Sequence, residues 1–413
     1  MKVDEPRWWL LPPASGGDLR RLLAMRSLRA FADGFVVLLL PVYLLALGFS
    51  PLQVGAIATA TLLGSGAMVF ALGLFAHRFA QRRLVLGAAG LMAASGFAFA
   101  SLGDFWPLLL IAAVGTLNLT NGDTSVFLPL EQSMVAQAVD ARDRTAVFAR
   151  YALLGALAGA VGALFAAAPE WVAARWSIDP ILTLKAMFLL YGAVGIVVFV
   201  VYRTLTPAVE PPGHAPNAPL VESRPIVLKM AAVFTLDSFG TGFAVQSLVA
   251  LWLFERFDAS VALVGQVFFW GGVLSAASFL VAPWLARRIG LVNTMVFTHL
   301  PANAFLIAAA FMPTVEWAVA LLLLRYAISS MDVPARNSYV MAVVPPHERA
   351  AAASFTAVPR SLAAGISPVF AGWMLGVSSF GWPLVIGGAL KIGYDLLLLR
   401  LFRTVRPPEE EQR

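Results

Sequence analysis

Leu321-Leu-Leu-Leu-Arg325-Tyr-Ala-Ile-Ser-Ser-Met-Asp332-Val-Pro-Ala-Arg336-Asn-Ser-Tyr339 decides how this chain is read. It lies inside an apolar run from about residue 316 to 344, yet it carries three ionisable side chains. On a helix turning about 100° per residue, Arg325, Asp332 and Arg336 fall within roughly 20° of one line, with Ser329 beside them. A charge at the centre of a bilayer costs about 2.5–3.5 kcal/mol on insertion scales. The stripe therefore needs protein, a partner charge or a watery cavity to face. The rest of the chain is expected to build that cavity.

Working outward, 60% of the 413 residues are hydrophobic and only 13% are charged, with a mean hydropathy of +0.80. This is the composition of an all-α membrane protein. Apolar spans recur at about 27–48, 52–76, 84–102, 106–138, 145–168 and 181–203, then at 227–255, 260–286, 292–312, 316–344, 351–377 and 381–404. Twelve transmembrane helices are predicted. The basic residues sit beside the spans on alternate loops: Arg20, Arg21, Arg26 and Arg29, then Arg78, Arg82 and Arg83, then Arg142 and Arg144, and so on to Arg400 and Arg403. That distribution places both termini in the cytoplasm and the chain in the cytoplasmic (inner) membrane. It also accounts for the net charge of +6 without invoking nucleic acid.

With no cysteine, disulfides, thiolate zinc sites and cysteine nucleophiles are excluded. His77, His214, His299 and His347 lie far apart in sequence, so neither a metal site nor any other cofactor is expected. Residues 1–26 read as a cytoplasmic tail with an amphipathic segment, 27–203 as a first six-helix unit and 204–226 as a proline-rich linker. A second six-helix unit follows over 227–404, and 405–413 form a tail.

The two halves repeat each other. Phe31-Ala-Asp-Gly34-Phe35 matches Phe239-Gly-Thr-Gly242-Phe243, and Pro129-Leu-Glu131-Gln-Ser133 matches Pro334-Ala-Arg336-Asn-Ser338. Asp143-Arg144 and Glu348-Arg349 follow these last two motifs at the same spacing. A duplicated six-helix unit is the economical explanation.

The loop after the second span, Gly73-Leu-Phe-Ala76-His77-Arg78-Phe-Ala-Gln81-Arg82-Arg83, together with the duplication, resembles the major facilitator superfamily over nearly the whole chain. His77 stands where the family has an acid, and Gln81 where it has a glycine. The resemblance implies two six-helix bundles around a cavity lined by spans 1, 4, 7 and 10, with alternating access by rocking of the bundles. Glycine-rich span 5 (Gly155, Gly159, Gly162) is similar to the pattern of the family's exporters, and plain close packing is an equal reading of it.

Within the spans, the polar set Asn118, Thr120, Asn121, Asp123 and Thr124 marks span 4, and Asn121-Gly122 marks a locally unwound point. Asp33, Asp123, Asp237, Arg325 and Asp332 are the candidates for substrate and proton binding. Arg78, Glu131, Arg150, Arg336 and Arg360 are candidates for gate or structural charges. Ion pairs that staple helices, such as Asp332 with Arg336, are the alternative. Lys391 and Asp395, four residues apart, are expected to pair with each other.

No glycine-rich nucleotide loop is present, and no catalytic constellation supports an enzyme. The expected function is a monomeric secondary transporter of a small organic solute. It is expected to be proton-coupled and to export drugs or metabolites. The alternatives are proton-coupled uptake of an organic anion and a transporter-like sensor. The expected partners are the small-molecule substrate, protons and the lipid bilayer.

Overall fold

Backbone groups in hydrocarbon must be satisfied within the protein, and helices do this residue by residue. The computed structural model describes residues 16–75, 79–119, 125–139, 144–209, 222–345 and 348–402, among which there is no strand. The first half comprises α1 (Gly17–Ala46), α2 (Pro51–Phe75), α3 (Gln81–Ser101), α4 (Phe105–Val114), α5 (Phe127–Gln137), α6 (Arg144–Phe165), α7 (Ala168–Trp176) and α8 (Pro180–Tyr202). The second comprises α9 (Arg224–Phe243), α10 (Gln246–Phe257), α11 (Val261–Ile289), α12 (Leu291–Ala310), α13 (Val315–Ser329), α14 (Asp332–Val343), α15 (Arg349–Val377) and α16 (Trp382–Phe402).

Among the described residues, each of the twelve predicted spans is helical, but three are interrupted. Span 4 is α4 plus α5, span 7 is α9 plus α10, and span 10 is α13 plus α14. Two of the breaks share a cause. Proline lacks an amide hydrogen and its ring collides with the carbonyl four residues back, so it is accommodated best in the first turn of a helix and elsewhere kinks or breaks it. α5 begins two residues before Pro129, and α14 begins two residues before Pro334. The unwinding expected at Asn121-Gly122 falls partly outside the described residues. On its near side the backbone already leaves the helix at Gly115, with ψ 179°. α1 starts at Gly17 rather than at residue 27, so the amphipathic segment is continuous with the first span.

Even-numbered connections leave Tyr202, Arg224 and Phe402 on the same face as Gly17, here the terminus face. That face is stitched within each half. Arg21 Nη1 donates to the Thr204 carbonyl at 3.2 Å, and Thr206 donates its backbone N–H to Asp18 at 3.2 Å. Glu348 accepts the backbone N–H groups of Glu222 and Ser223 at 2.8 and 2.9 Å, tying the start of α9 to that of α15.

The halves meet mainly through α2 on α15 and α6 on α11. Lipid offers no hydrophobic drive for helix association, so small residues that permit close contact take over. Gly55 of α2 faces Gly372 of α15 so closely that a Cβ on Gly372 would lie 2.8 Å from the Gly55 Cα and 2.5 Å from the Pro51 carbonyl oxygen. A Cβ on Gly265 of α11 would lie 2.6 Å from the carbonyl oxygen of Ala163 on α6. Both contacts lie toward the face opposite the termini, where the halves are sealed.

Candidate functional site

Between the halves lies a cavity of about 850 Å³. Its wall runs from Val37 on α1 and Ala160 on α6, near mid-membrane, toward Arg26, Phe148 and Phe279 nearer the terminus face. Spans 1, 4, 5, 7, 8 and 10 all contribute residues to the lining. The two sides differ in chemistry. The first half supplies Arg26, Asp33, Asn118, Gln132 and Tyr151, whereas the second supplies Phe268, Gly272, Phe279 and Val333 with Gln246 as its polar group. Arg26 and Asp33 lie two turns apart along α1, about 10 Å by helix rise. The absence of a side chain at Gly155 makes room for the Arg26 guanidinium, which would stand 2.7 Å from a Cβ there. Arg26 also lies 5.2 Å from the Tyr151 ring centre.

Below the cavity in the first half, Glu131 is wholly buried and fully engaged. Arg29 Nε and Nη2 donate to it at 3.1 and 2.7 Å, Tyr151 donates its hydroxyl at 2.5 Å, and Tyr202 donates from α8. Arg29 also lies 3.9 Å above the Phe127 ring. This carboxylate joins spans 1, 4, 5 and 6.

The second half holds a larger buried cluster. Asp237 of α9 accepts from Arg336 Nη1 on Oδ2 at 3.1 Å, and Lys391 Nζ stands as an ion-pair partner 3.0 Å from its Oδ1. Arg336 also faces Asp332 at 3.6 Å, one turn back on α14. Asp332 is the first residue of that helix, where the positive end of the helix dipole favours a carboxylate. On the far side of Asp237, His299 of α12 stands 3.9 Å away by Nε2 and 2.9 Å from Asp395 by Nδ1. Asn303 donates to Asp395 at 3.2 Å. Arg360 of α15 borders the group, donating to Ser238 Oγ at 3.2 Å.

Of the predicted site residues, the structure brings Asp237, Asp332 and Arg336 together, with Arg360 adjoining, and sets Asp33 apart in the cavity wall. Arg150 is half-buried on α6, next to Tyr151. Arg325 lies on α13, across the break from Asp332, and its guanidinium sits 5.2 Å from the Tyr326 ring centre. The interruption at Ser330–Met331 therefore divides the expected stripe between two helices. Asp123 and Arg78, with His77, lie outside the described residues. One expectation is corrected. Lys391 and Asp395 do not pair with each other: Lys391 turns to Asp237 and Thr241, and Asp395 to His299 and Asn303. Three-dimensional neighbours at 2.7–3.2 Å outcompete the loose contact available along one helix face.

Sequence reasoning missed Arg26, Tyr151 and Gln246 in the cavity, and Arg29 and His299 in the buried clusters. For His299 a signal was available, since an ionisable residue inside an apolar span is itself notable. Among the second-half aromatics, Phe268 lines the cavity, Trp252 and Tyr339 are core residues, and Trp270 faces outward.

Duplicated six-span halves enclosing a cavity, sealed at one face, define a polytopic membrane transporter. The chain belongs to the Major Facilitator Superfamily, whose profile matches residues 22–355. It is similar to an uncharacterized membrane protein of Saccharomyces cerevisiae, YJR124C, at 23% identity over 93% of this chain and 94% of that protein. Among solved structures, a bacterial homolog of the human lysosomal transporter Spinster, inward-facing and occupied, superposes with a TM-score of 0.74 at 14% identity, covering 96% of this chain and 98% of that one. The nucleoside transporter NupG gives 0.70 at 15% identity, over 94% and 100% of the chains. The human organic anion transporter MFSD10 gives 0.61 at 16%, over 94% and 100%. At these identities the likeness concerns the fold.

Proposed function

We propose that this chain is a proton-coupled secondary transporter that exports a small amphipathic organic solute by alternating access, with the terminus face in the cytoplasm. The observation that carries this reading is the two-sided cavity. A polar wall bearing Arg26 and Asp33 opposes an apolar wall built around Phe268 and Phe279, which suits a ligand with a polar head and an apolar body. Among the described residues, Asp33 is the only carboxylate in that lining. A proton and a cationic or hydrogen-bonding solute would compete for it, as antiport requires. The buried cluster around Asp237 supplies a second set of titratable groups, on spans 7, 9, 10 and 12. Uptake of an organic anion is the second reading, favoured by Arg26 in the same cavity.

The test is solute-driven pH change in proteoliposomes across cationic, zwitterionic and anionic aromatic compounds. The native chain is expected to move protons opposite to its solute. Asp33→Asn and Asp237→Asn are each expected to lower coupled flux at least tenfold. Co-directional movement with an anion would select the second reading. Unchanged flux in both variants, with the protein folded, would remove these carboxylates from the mechanism.

A further inference from the structure

His299 takes no part in the cavity, yet its surroundings are built for a proton. The ring is buried on α12 between two carboxylates, Asp395 on α16 at 2.9 Å from Nδ1 and Asp237 on α9 at 3.9 Å from Nε2. Asn303, one turn along α12, donates to the second oxygen of Asp395 and so holds that carboxylate toward the ring. The charged groups around it are Asp237 from α9, Asp332 and Arg336 from α14, and Lys391 and Asp395 from α16, with Arg360 of α15 at the border. Tyr394 of α16 meets the ring edge-on at 5.8 Å. Asp237, Asp332, Asp395, Arg336 and Lys391 are buried, and with Arg360 at the border the group holds three carboxylates and three cations. The two ionisable groups nearest the ring are both carboxylates, and a proton on the imidazole pairs with them.

We propose that His299 is the residue that carries the coupling proton in the loaded state, and that Asp395 and Asn303 position it. With Nδ1–H donated to Asp395, the incoming proton adds to Nε2, facing Asp237. The imidazole becomes imidazolium, no other bond changes, and release returns the same proton. The loaded ring draws Asp237 toward itself and weakens that carboxylate's hold on Arg336 and Lys391. Charge at His299 is thereby linked to α14 and α16, and through α14 to the cavity wall at Val333. This rests on the proton-coupling reading above and assigns the proton to one side chain.

The chain has no native cysteine, so an Ala152→Cys reporter on the cavity wall can be alkylated selectively in the purified full-length protein. The rate of maleimide labelling is expected to change with pH in one step. His299→Gln is expected to abolish that step. Asp395→Asn, which removes the flanking charge but keeps the ring, is expected to displace that step. Thermal unfolding checks that each variant is folded. A step that persists in His299→Gln at the native midpoint, or an Asp395→Asn midpoint identical to the native one, overturns the assignment and leaves proton coupling standing. A flat profile in the native chain overturns both.

Discussion

At the scale of single residues, the two halves solve one problem with opposite signs. Arg29 lies two positions before the Phe31 motif and pairs with Glu131. Asp237 lies two positions before the matching Phe239 motif and pairs with Arg336, the repeat counterpart of Glu131. Each half therefore keeps an ion pair between its first and fourth spans, with the charges exchanged. Neither can lose one partner cheaply, because the other is left charged and buried. Glu131→Gln is expected to destabilise the protein by about 3–5 kcal/mol, and Tyr202→Phe, which removes one hydrogen bond to the same carboxylate, by about 1.5–3 kcal/mol. Thermal or denaturant unfolding in a fixed detergent measures both. If Glu131→Gln proves no worse than Tyr202→Phe, the carboxylate is not the ionic centre described above.

At the scale of elements, the functional features gather where helices are broken. Asp332 owes its place at a helix N-terminus to Pro334, and Glu131 lies one turn into α5, whose start is set by Pro129. Pro334→Ala restores an amide hydrogen able to bond the Ser330 carbonyl and removes the steric block. The expected outcome is a span 10 that is helical through residues 330 and 331. Hydrogen exchange at those residues should be at least tenfold slower, and coupled flux should fall. Exchange unchanged from the native chain would show that packing, rather than proline, holds the break open. Both prolines are plain in the sequence and stand in the repeat itself. The break in span 7 is less legible: Ala244 and Val245 are ordinary helix residues, and only the preceding Gly240-Thr-Gly242 weakens the helix.

At the scale of the whole molecule, the seal between the halves rests on glycine contacts too close for any side chain. Gly372→Val would drive α15 away from Pro51 and Gly55. It should open the face opposite the termini and close the terminus face in compensation. The Ala152→Cys reporter is then expected to label at least fivefold more slowly in Gly372→Val than in the native background. Equal labelling would mean that the two faces are not reciprocally linked.

By itself the sequence determined twelve apolar spans, their helical state, the duplication, and the requirement that Arg325, Asp332 and Arg336 avoid lipid. All of these follow from local periodicity and hydropathy, which a chain carries residue by residue. It also singled out Asp33, Asp237 and Arg336, because a charge inside an apolar run is conspicuous without a structure. The tertiary structure alone decided the partners. Lys391 and Asp395 stand four residues apart in sequence, yet Lys391 lies 3.0 Å from Asp237, and His299, distant in sequence from the other histidines, finds its carboxylate partners across α9 and α16. Which buried charge meets which depends on distances between helices far apart along the chain, and on the order in which close-packed glycines let those helices approach. The same geometry divides the charged stripe of span 10, leaving Asp332 and Arg336 in a buried cluster and Arg325 on another helix.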